Sequence, residues 1–244
     1  MRVKTEPEVF VISCNGIRLA ELDHFLTAND LDQPLDSQLQ GTPGEQIVEA
    51  ATRTCYLSFG KGRPTHEFFA NILEQKHGST LEHATLTLAI SGISRSLSHE
   101  LVRHRHISIS QLSQRYVDHS DIAIVMPPAI QMLSTLDKEY WKGSVGEQIM
   151  AYEHFADLLH ANTSNRKQNR EAARSLLPNC VETMLFATAN ARTWRWFCQL
   201  RSSSHADAEI QQLAEKIFTI IKAEWPDITQ DMELGEEGVS GEHV

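Results

Sequence analysis

The stretch Arg103-His104-Arg105-His106-Ile107-Ser108-Ile109-Ser110-Gln111-Leu112-Ser113-Gln114-Arg115-Tyr116 decides the reading of this chain. Residues 101–117 contain no acid, although the chain carries 32 Asp and Glu. Arginine offers a planar fork of donors that matches phosphate oxygens, and Ser108, Ser110 and Ser113 add hydroxyls. The spacing at 94–104, with Leu97 and Leu101, predicts a helix. A helix that ends in Arg-His-Arg and passes into a Ser-rich loop aims several donors at one place, a cradle for a phosphate or diphosphate.

A second acid-free window, residues 183–206, holds Arg192, Arg195, Arg201 and His205, with Ser202 to Ser204. Two such windows point to anion sites rather than to solvated helix faces. The formal net charge of −10 argues against a general nucleic-acid surface. No apolar run reaches the roughly 20 residues a membrane helix needs, and the N-terminus lacks a signal-peptide core, so a cytoplasmic protein is expected. Cys14, Cys55, Cys180 and Cys198 form no C-x-x-C pair and read as buried free thiols.

With 244 residues, the chain is expected to fold as one domain over 1–244. Residues 23–44 read as a loop. Thr42-Pro43-Gly44-Glu45 opens a helix with a capping box and an apolar face of Ile47, Val48 and Ala51. Phe68, Phe69, Ile72 and Leu73 mark a helix over 65–77. Alternation at 84–91 predicts a half-buried strand. Residues 122–126 form a short strand stopped by Pro127-Pro128. Residues 131–176 are largely helical, interrupted near 162–165, with Ile149, Tyr152, Phe155, Leu158 and Leu159 on one face. A strand at 180–188 and helices at 191–200 and 206–224 follow, and the acidic tail 231–244 is expected to fray. The class is mixed α+β. No G-x-G-x-x-G follows a strand and no Walker motif exists, so a Rossmann or P-loop site is unsupported.

The Arg-His-Arg core, seven residues and then Ser113, within Gln111-Leu112-Ser113-Gln114-Arg115, resembles the signature of the flavin-dependent thymidylate synthases, the ThyX family. His77-Gly78-Ser79-Thr80-Leu81-Glu82-His83 is similar to that family's upstream segment, and Arg174-Ser175-Leu176-Leu177-Pro178 to its Arg-x-x-Leu-Pro element. Asn190-Ala191-Arg192, Leu200-Arg201 and Ser204-His205-Ala206 resemble its later motifs. The likeness covers about residues 45–225, in order. It implies a ThyX-like fold, a small largely antiparallel sheet flanked by long helices, and a homotetramer whose FAD pocket is shared between subunits.

The resemblance further implies site residues. Ser79, Glu82, Arg103, His104, Arg105, Ser110, Gln111, Asn190, Arg192 and His205 match FAD contacts. His77 and His205 match residues near the flavin ring and the folate. Glu100, Arg103, Gln111, Leu112, Ser113, Gln114, Arg115, Arg174 and Arg201 match the dUMP pocket. Among these, Ser113, Arg115 and Arg174 stand as phosphate ligands, and Arg201 as the cation beside the uracil ring, where it stabilises developing negative charge. Ser113 is thereby a hydrogen-bond donor in the catalytic site and no nucleophile. NADPH and 5,10-methylenetetrahydrofolate are the implied co-substrates. The sequence departs from the family at Trp196, where relatives usually carry a polar residue, and at Cys55, where some carry a serine that touches FAD.

Other readings are weaker. Ser113, His205 and Asp207 supply triad types without a G-x-S-x-G elbow. His99, His104 and His106, like His77 and His83, fit no zinc spacing, so no metal is expected. Trp194, Trp196 and Tyr116 could stack nucleic-acid bases, against the net charge. Asn190 also suits a helix N-cap. His83 reads as a core histidine, and Arg170 and Arg195 read as surface charges.

Overall fold

A computed structural model describes residues 1–31, 39–119 and 121–244. Its elements are β1 (Val3–Lys4), β2 (Glu8–Cys14), α1 (Leu19–Thr27), α2 (Pro43–Tyr56), α3 (Thr65–Glu74), β3 (Thr85–Ser94), α4 (Arg95–Leu101), β4 (Ser108–Gln111) and β5 (Ile124–Val125). There follow α5 (Pro128–Gln131), α6 (Thr135–Asn162), α7 (Arg166–Ala173), β6 (Glu182–Asn190), α8 (Ala191–Arg201), α9 (Ala208–Glu224), β7 (Glu233–Gly235) and β8 (Gly238–Ser240).

The alternation seen in the sequence builds the central strand. Leu86, Leu88 and Ile90 of β3 are buried while Thr85, Thr87 and Ala89 are only partly so. β3 pairs antiparallel with β2 and β6, and β6 with β4, giving the order β2-β3-β6-β4. One face of this sheet meets α8 and α9, whose Trp194, Phe197, Ile210, Leu213, Ile217 and Ile221 complete the main core. The fold is thus the expected mixed α+β one, with a small antiparallel sheet and long helices.

A bulge in β3 falls at Gly92, with φ +67. Glycine suits this left-handed backbone, and a Cβ there would lie 2.6 Å from the Glu6 carbonyl oxygen. The bulge turns the strand end so that Ser94 caps α4. Ser94 Oγ accepts from Leu97 N–H at 3.0 Å and donates to Glu209 Oε2 at 2.7 Å. The buried Glu209 thereby ties α9 to the strand-to-helix junction from which the first basic window departs.

Several expectations are corrected. Residues 19–27 are helical, so the loop expected from 23 begins after Thr27, and part of it (32–38) lies outside the described residues. The carboxylate half of the α2 capping box is made, Thr42 N–H donating to Glu45 Oε2 at 2.8 Å. The helix buries Glu45, Glu49 and Arg53 beside Val48, whereas Ile47 and Ala51 are only partly covered. Glu49 and Arg53 pair at 2.6 Å, and Thr65 donates to Glu49 at 2.9 Å. This closed network satisfies groups that hydrophobic spacing could not place. On α6 only Ile149 and Tyr152 of the expected face are buried, and Phe155 and Leu158 are exposed. The cysteines are all free, but Cys55 is exposed and only Cys198 is fully buried. The expected Ser-rich loop is strand β4, with Ser108 and Ser110 on its exposed side. His83 is exposed rather than in the core. Arg170 is partly covered and donates to the Tyr116 carbonyl at 2.8 Å.

The tail does not fray. β7 and β8 form a hairpin, and Arg195, 1% exposed rather than a surface charge, holds it. Arg195 donates to both Asp231 oxygens at 2.7 Å and to the Glu242 carbonyl at 3.0 Å.

Candidate functional site

The acid-free windows meet at the C-terminal ends of α4 and α8. Arg201, in the last turn of α8, donates from Nε to His104 Nε2 at 3.0 Å and from Nη1 to Glu100 Oε2 at 3.1 Å. Glu100 comes from α4 and His104 from the turn that follows it. The His104 ring is buried, edge-on to Phe197 and Trp196 at 5.1 and 5.4 Å between centroids. Its Nδ1 lies 2.9 Å from the Leu101 carbonyl. A carbonyl only accepts and the Arg201 Nε–H only donates, so the geometry assigns a neutral ring with its proton on Nδ1. Burial pushes the ring's basicity down, and the neighbouring Arg201 acts in the same direction. Burial first, and then Asp207, push the Glu100 carboxyl up, with Arg201 opposing.

Two cavities flank this hub. The first, about 630 Å³, is lined by Glu100, Gln114 and Arg174 together with Arg95, His99 and Asp207. The second, about 530 Å³, is lined by Glu82, Asn190, Arg192, His106 and Trp196. Both fall in the size range of small-molecule sites. The contacts Trp196–His104–Arg201–Glu100 join one to the other.

In the second cavity Arg192 donates to Glu82 at 2.8 Å and to the Val244 carbonyl at 2.9 Å. Gly78 lies under Val244, and any Cβ there would collide with it. Asn190 caps α8 by accepting from Thr193 N–H at 2.9 Å. Arg103 and Arg105 are exposed, and neither forms an ion pair among the described residues. The cavity is walled by the Trp196 ring, and Arg103 and Arg105, which do not line it, stand exposed on the turn that carries His106 to it; these groups fit a dinucleotide such as FAD.

The remaining site residues line neither of these two cavities. Arg115 pairs with Glu171 at 3.3 Å. Ser113 Oγ accepts from Arg115 N–H at 3.4 Å. Gln111 donates its amide inward, to Ser98 at 2.8 Å and Thr183 at 3.2 Å. Ser110 and Leu112 line a separate apolar hollow on the open face of the sheet. Ser79 and His205 are exposed. His77 stacks on Tyr56 at 5.9 Å. Arg95 is a lining residue that the sequence reading passed over; its place directly after a bulged strand gave no signal.

The rival sites find no support. Asp207 caps α9 by accepting from Glu209 N–H at 3.0 Å, and no Ser-His-Asp relay forms among the described residues. None of the described His, Cys, Asp and Glu clusters could hold a metal ion. Trp194 is fully buried, donating to the Leu86 carbonyl at 3.3 Å, and cannot stack a base. Among the described residues no helix is long and apolar enough to cross a membrane.

Residues 39–227 match the family described as thymidylate synthase complementing protein. A flavin-dependent thymidylate synthase of Corynebacterium diphtheriae is 39% identical over 228 residues, covering 89% of each chain. One from Mycobacteroides abscessus is 41% identical over 209 residues, covering 81% of this chain and 82% of its own. One from Mycobacterium marinum is 37% identical over 231 residues, covering 89% of this chain and 90% of its own. With more than half its length matched, the chain belongs to the thymidylate synthase complementing protein family, that of the flavin-dependent thymidylate synthases.

Proposed function

We propose that this protein converts dUMP to dTMP, with FAD as cofactor, 5,10-methylenetetrahydrofolate as one-carbon donor and NADPH as reductant. The observation that carries this reading is the Arg201 hub set between two cavities. One is rich in arginine and polar groups, as a nucleotide monophosphate requires. The other has an aromatic wall and neighbouring free guanidiniums. When bound, FAD supplies the redox chemistry and the route for one-carbon transfer.

The chain's own residues bind, orient and polarise. Arg174, with Ser113, Gln114 and Arg115, takes the dUMP phosphate. Arg201, fixed by two partners, faces the uracil ring and stabilises negative charge that develops on addition at C6. Such donors are most effective when preorganised, because no reorientation is needed at the moment of reaction. Arg103 and Arg105 serve the FAD phosphates and adenosine, Arg192, Asn190, Glu82 and Ser79 make further FAD contacts, and His205 stands near the flavin ring. The four free thiols suit a reducing compartment such as the cytoplasm.

We further propose a homotetramer. Phe10, Ile12, Met184 and Phe186 stand exposed on the open sheet face, and Leu136, Tyr140 and Met150 on α6. Exposed apolar surface on this scale calls for a cover, and a second copy would also bring together the FAD residues that one chain leaves scattered. Light scattering should give four times the chain's 27.5 kDa. A monomer that still turned over would refute shared sites.

The reading is tested by incubating the purified protein with FAD, NADPH, methylenetetrahydrofolate and dUMP and detecting dTMP by mass spectrometry. Formation of dTMP that depends on FAD is expected. Absence of product under conditions where both FAD and dUMP bind would sink the assignment.

A further inference from the structure

We propose that Val244 is a positioning residue for the cofactor. Its backbone carbonyl holds Arg192 at the second cavity, so docking of residues 241–244 and binding of FAD strengthen one another. The inference rests on the proposed FAD site and adds to it a segment outside every motif used above.

Val244 lines the second cavity beside Glu82, Asn190, Arg192 and Trp196. Arg192 is fixed there at two points. Its Nη1 donates to Glu82 Oε1 at 2.8 Å and its Nε to the Val244 carbonyl at 2.9 Å. The Arg192 and Glu82 side chains are 44% and 48% exposed. An ion pair so open to water contributes little and leaves a long side chain free to swing. Arginine has many rotamers, and ordering such a side chain at the moment of binding weakens that binding. The second bond, which comes from a distant part of the chain, removes this freedom before the ligand arrives.

The segment has a built seat. Val244 is partly buried and packs against the main core. A Cβ at Gly78 would collide with the Val244 carbonyl carbon and stand 2.9 Å from its oxygen. Gly78 is not one of the glycines with a left-handed φ, so the close approach of Val244, and not the backbone angle, is what requires glycine here. Upstream, Gln199 donates to the Gly241 carbonyl at 2.8 Å and Glu242 N–H to Asp231 Oδ2 at 2.8 Å, while Lys76 pairs with Glu242 at 3.5 Å. The Val244 carbonyl therefore reaches Arg192 from a held backbone, and it orients the guanidinium rather than following it.

The test is FAD affinity, read by quenching of flavin fluorescence, in the unaltered protein and in one ending at Glu242. This truncation removes only His243 and Val244 and keeps the contacts of Glu242 with Asp231, Arg195 and Lys76. FAD should bind about 3- to 10-fold more weakly, the cost of ordering one long side chain. The affinity of the FAD-saturated protein for dUMP should hold. Arg192→Ala should also weaken FAD, and on that background the truncation should cost nothing further, because Val244 acts through Arg192. Gly78→Ala keeps the whole segment but displaces Val244, and it should lose FAD affinity to a similar extent. By linkage, saturating FAD should slow carboxypeptidase release of Val244 from the unaltered protein by a similar factor, a measurement that stands if a variant fails to fold. Unchanged or tighter FAD binding after truncation, an equal loss with and without Arg192, or a release rate indifferent to FAD overturns the role. An unaltered protein that binds no FAD would strike the cofactor site itself and the role with it. One that shows the coupling yet makes no dTMP would strike the proposed reaction and leave the role standing.

Discussion

Replacing Arg201 with alanine is expected to lower kcat/KM for dUMP by about 10²–10³-fold, the usual cost of one preorganised donor to developing charge. FAD affinity should be nearly unchanged. The size of the effect follows from how the side chain is held. Arg201 is partly buried, with two of its donor groups fixed by Glu100 and His104. A guanidinium so fixed has little freedom to lose when substrate arrives. Its removal also strands Glu100, whose carboxyl burial and Asp207 already push up. Steady-state kinetics with a flavin titration alongside separate the outcomes. An Arg201→Ala protein with ordinary kcat/KM would sink the uracil assignment.

The same geometry gives His104 a role apart from the direct FAD contact expected of it. Its buried ring turns its Nε2 lone pair to Arg201, so it orients the arginine. His104→Phe keeps the ring contacts with Trp196 and Phe197 but removes the acceptor. It should cost about tenfold in dUMP affinity, in keeping with one hydrogen bond to a charged group. His104→Gln, which can place an oxygen near the same point, should recover much of it. A loss confined to FAD would overturn this role. The sign of the pH dependence follows from burial. The folded ring resists a proton that the unfolded chain accepts, so this group subtracts stability as pH falls through the histidine range and has no effect above it.

The parts legible in sequence were those with period or punctuation. β3 announced itself by alternation, α9 by its Ile210–Leu213–Ile217–Ile221 stripe, and α2 by Thr42-Pro43 with Glu45 three residues on. β4 was hidden because Ser108 and Ser110 carry no apolar signal; its edge position follows from pairing with β6. Arg195 looked like a surface charge because nothing local marks burial. Its partner Asp231 lies 36 residues away, beyond any helical or strand period. The site was legible as composition, through two acid-free windows, and as motif. The linkage of Arg201 to His104 spans 97 residues and is a product of tertiary packing. Arg95 escaped notice for a related reason. An unpaired cation is recognisable only once every acid has been placed.

Asp231→Ala is expected to destabilise the protein by about 3–5 kcal/mol, the cost of leaving a buried charge alone. Arg195 is 1% exposed and its fork meets both carboxylate oxygens at 2.7 Å. Its Nη1 also donates to the Ile228 carbonyl at 2.6 Å, but that bond cannot neutralise it. For a chain of this length, the thermal midpoint should fall by roughly 10 °C. Burial raises the Asp231 carboxyl, yet the Arg195 fork outweighs it and holds the group below the usual carboxylate range. This contribution is therefore complete above that range and is lost only as acid titrates the folded protein, so near neutrality the deficit should not vary with pH. Arg195→Met combined with Asp231→Ala should recover part of the loss, because an apolar side chain in the same space leaves no unpaired charge. The hairpin also carries Glu242 and Val244 to Arg195 and Arg192. Proteolysis of Asp231→Ala should accordingly begin within 233–244. A single mutant as stable as the unaltered protein would mean that Arg195 had found another counter-charge, and the acidic tail would then have no part in holding the wall of the second cavity.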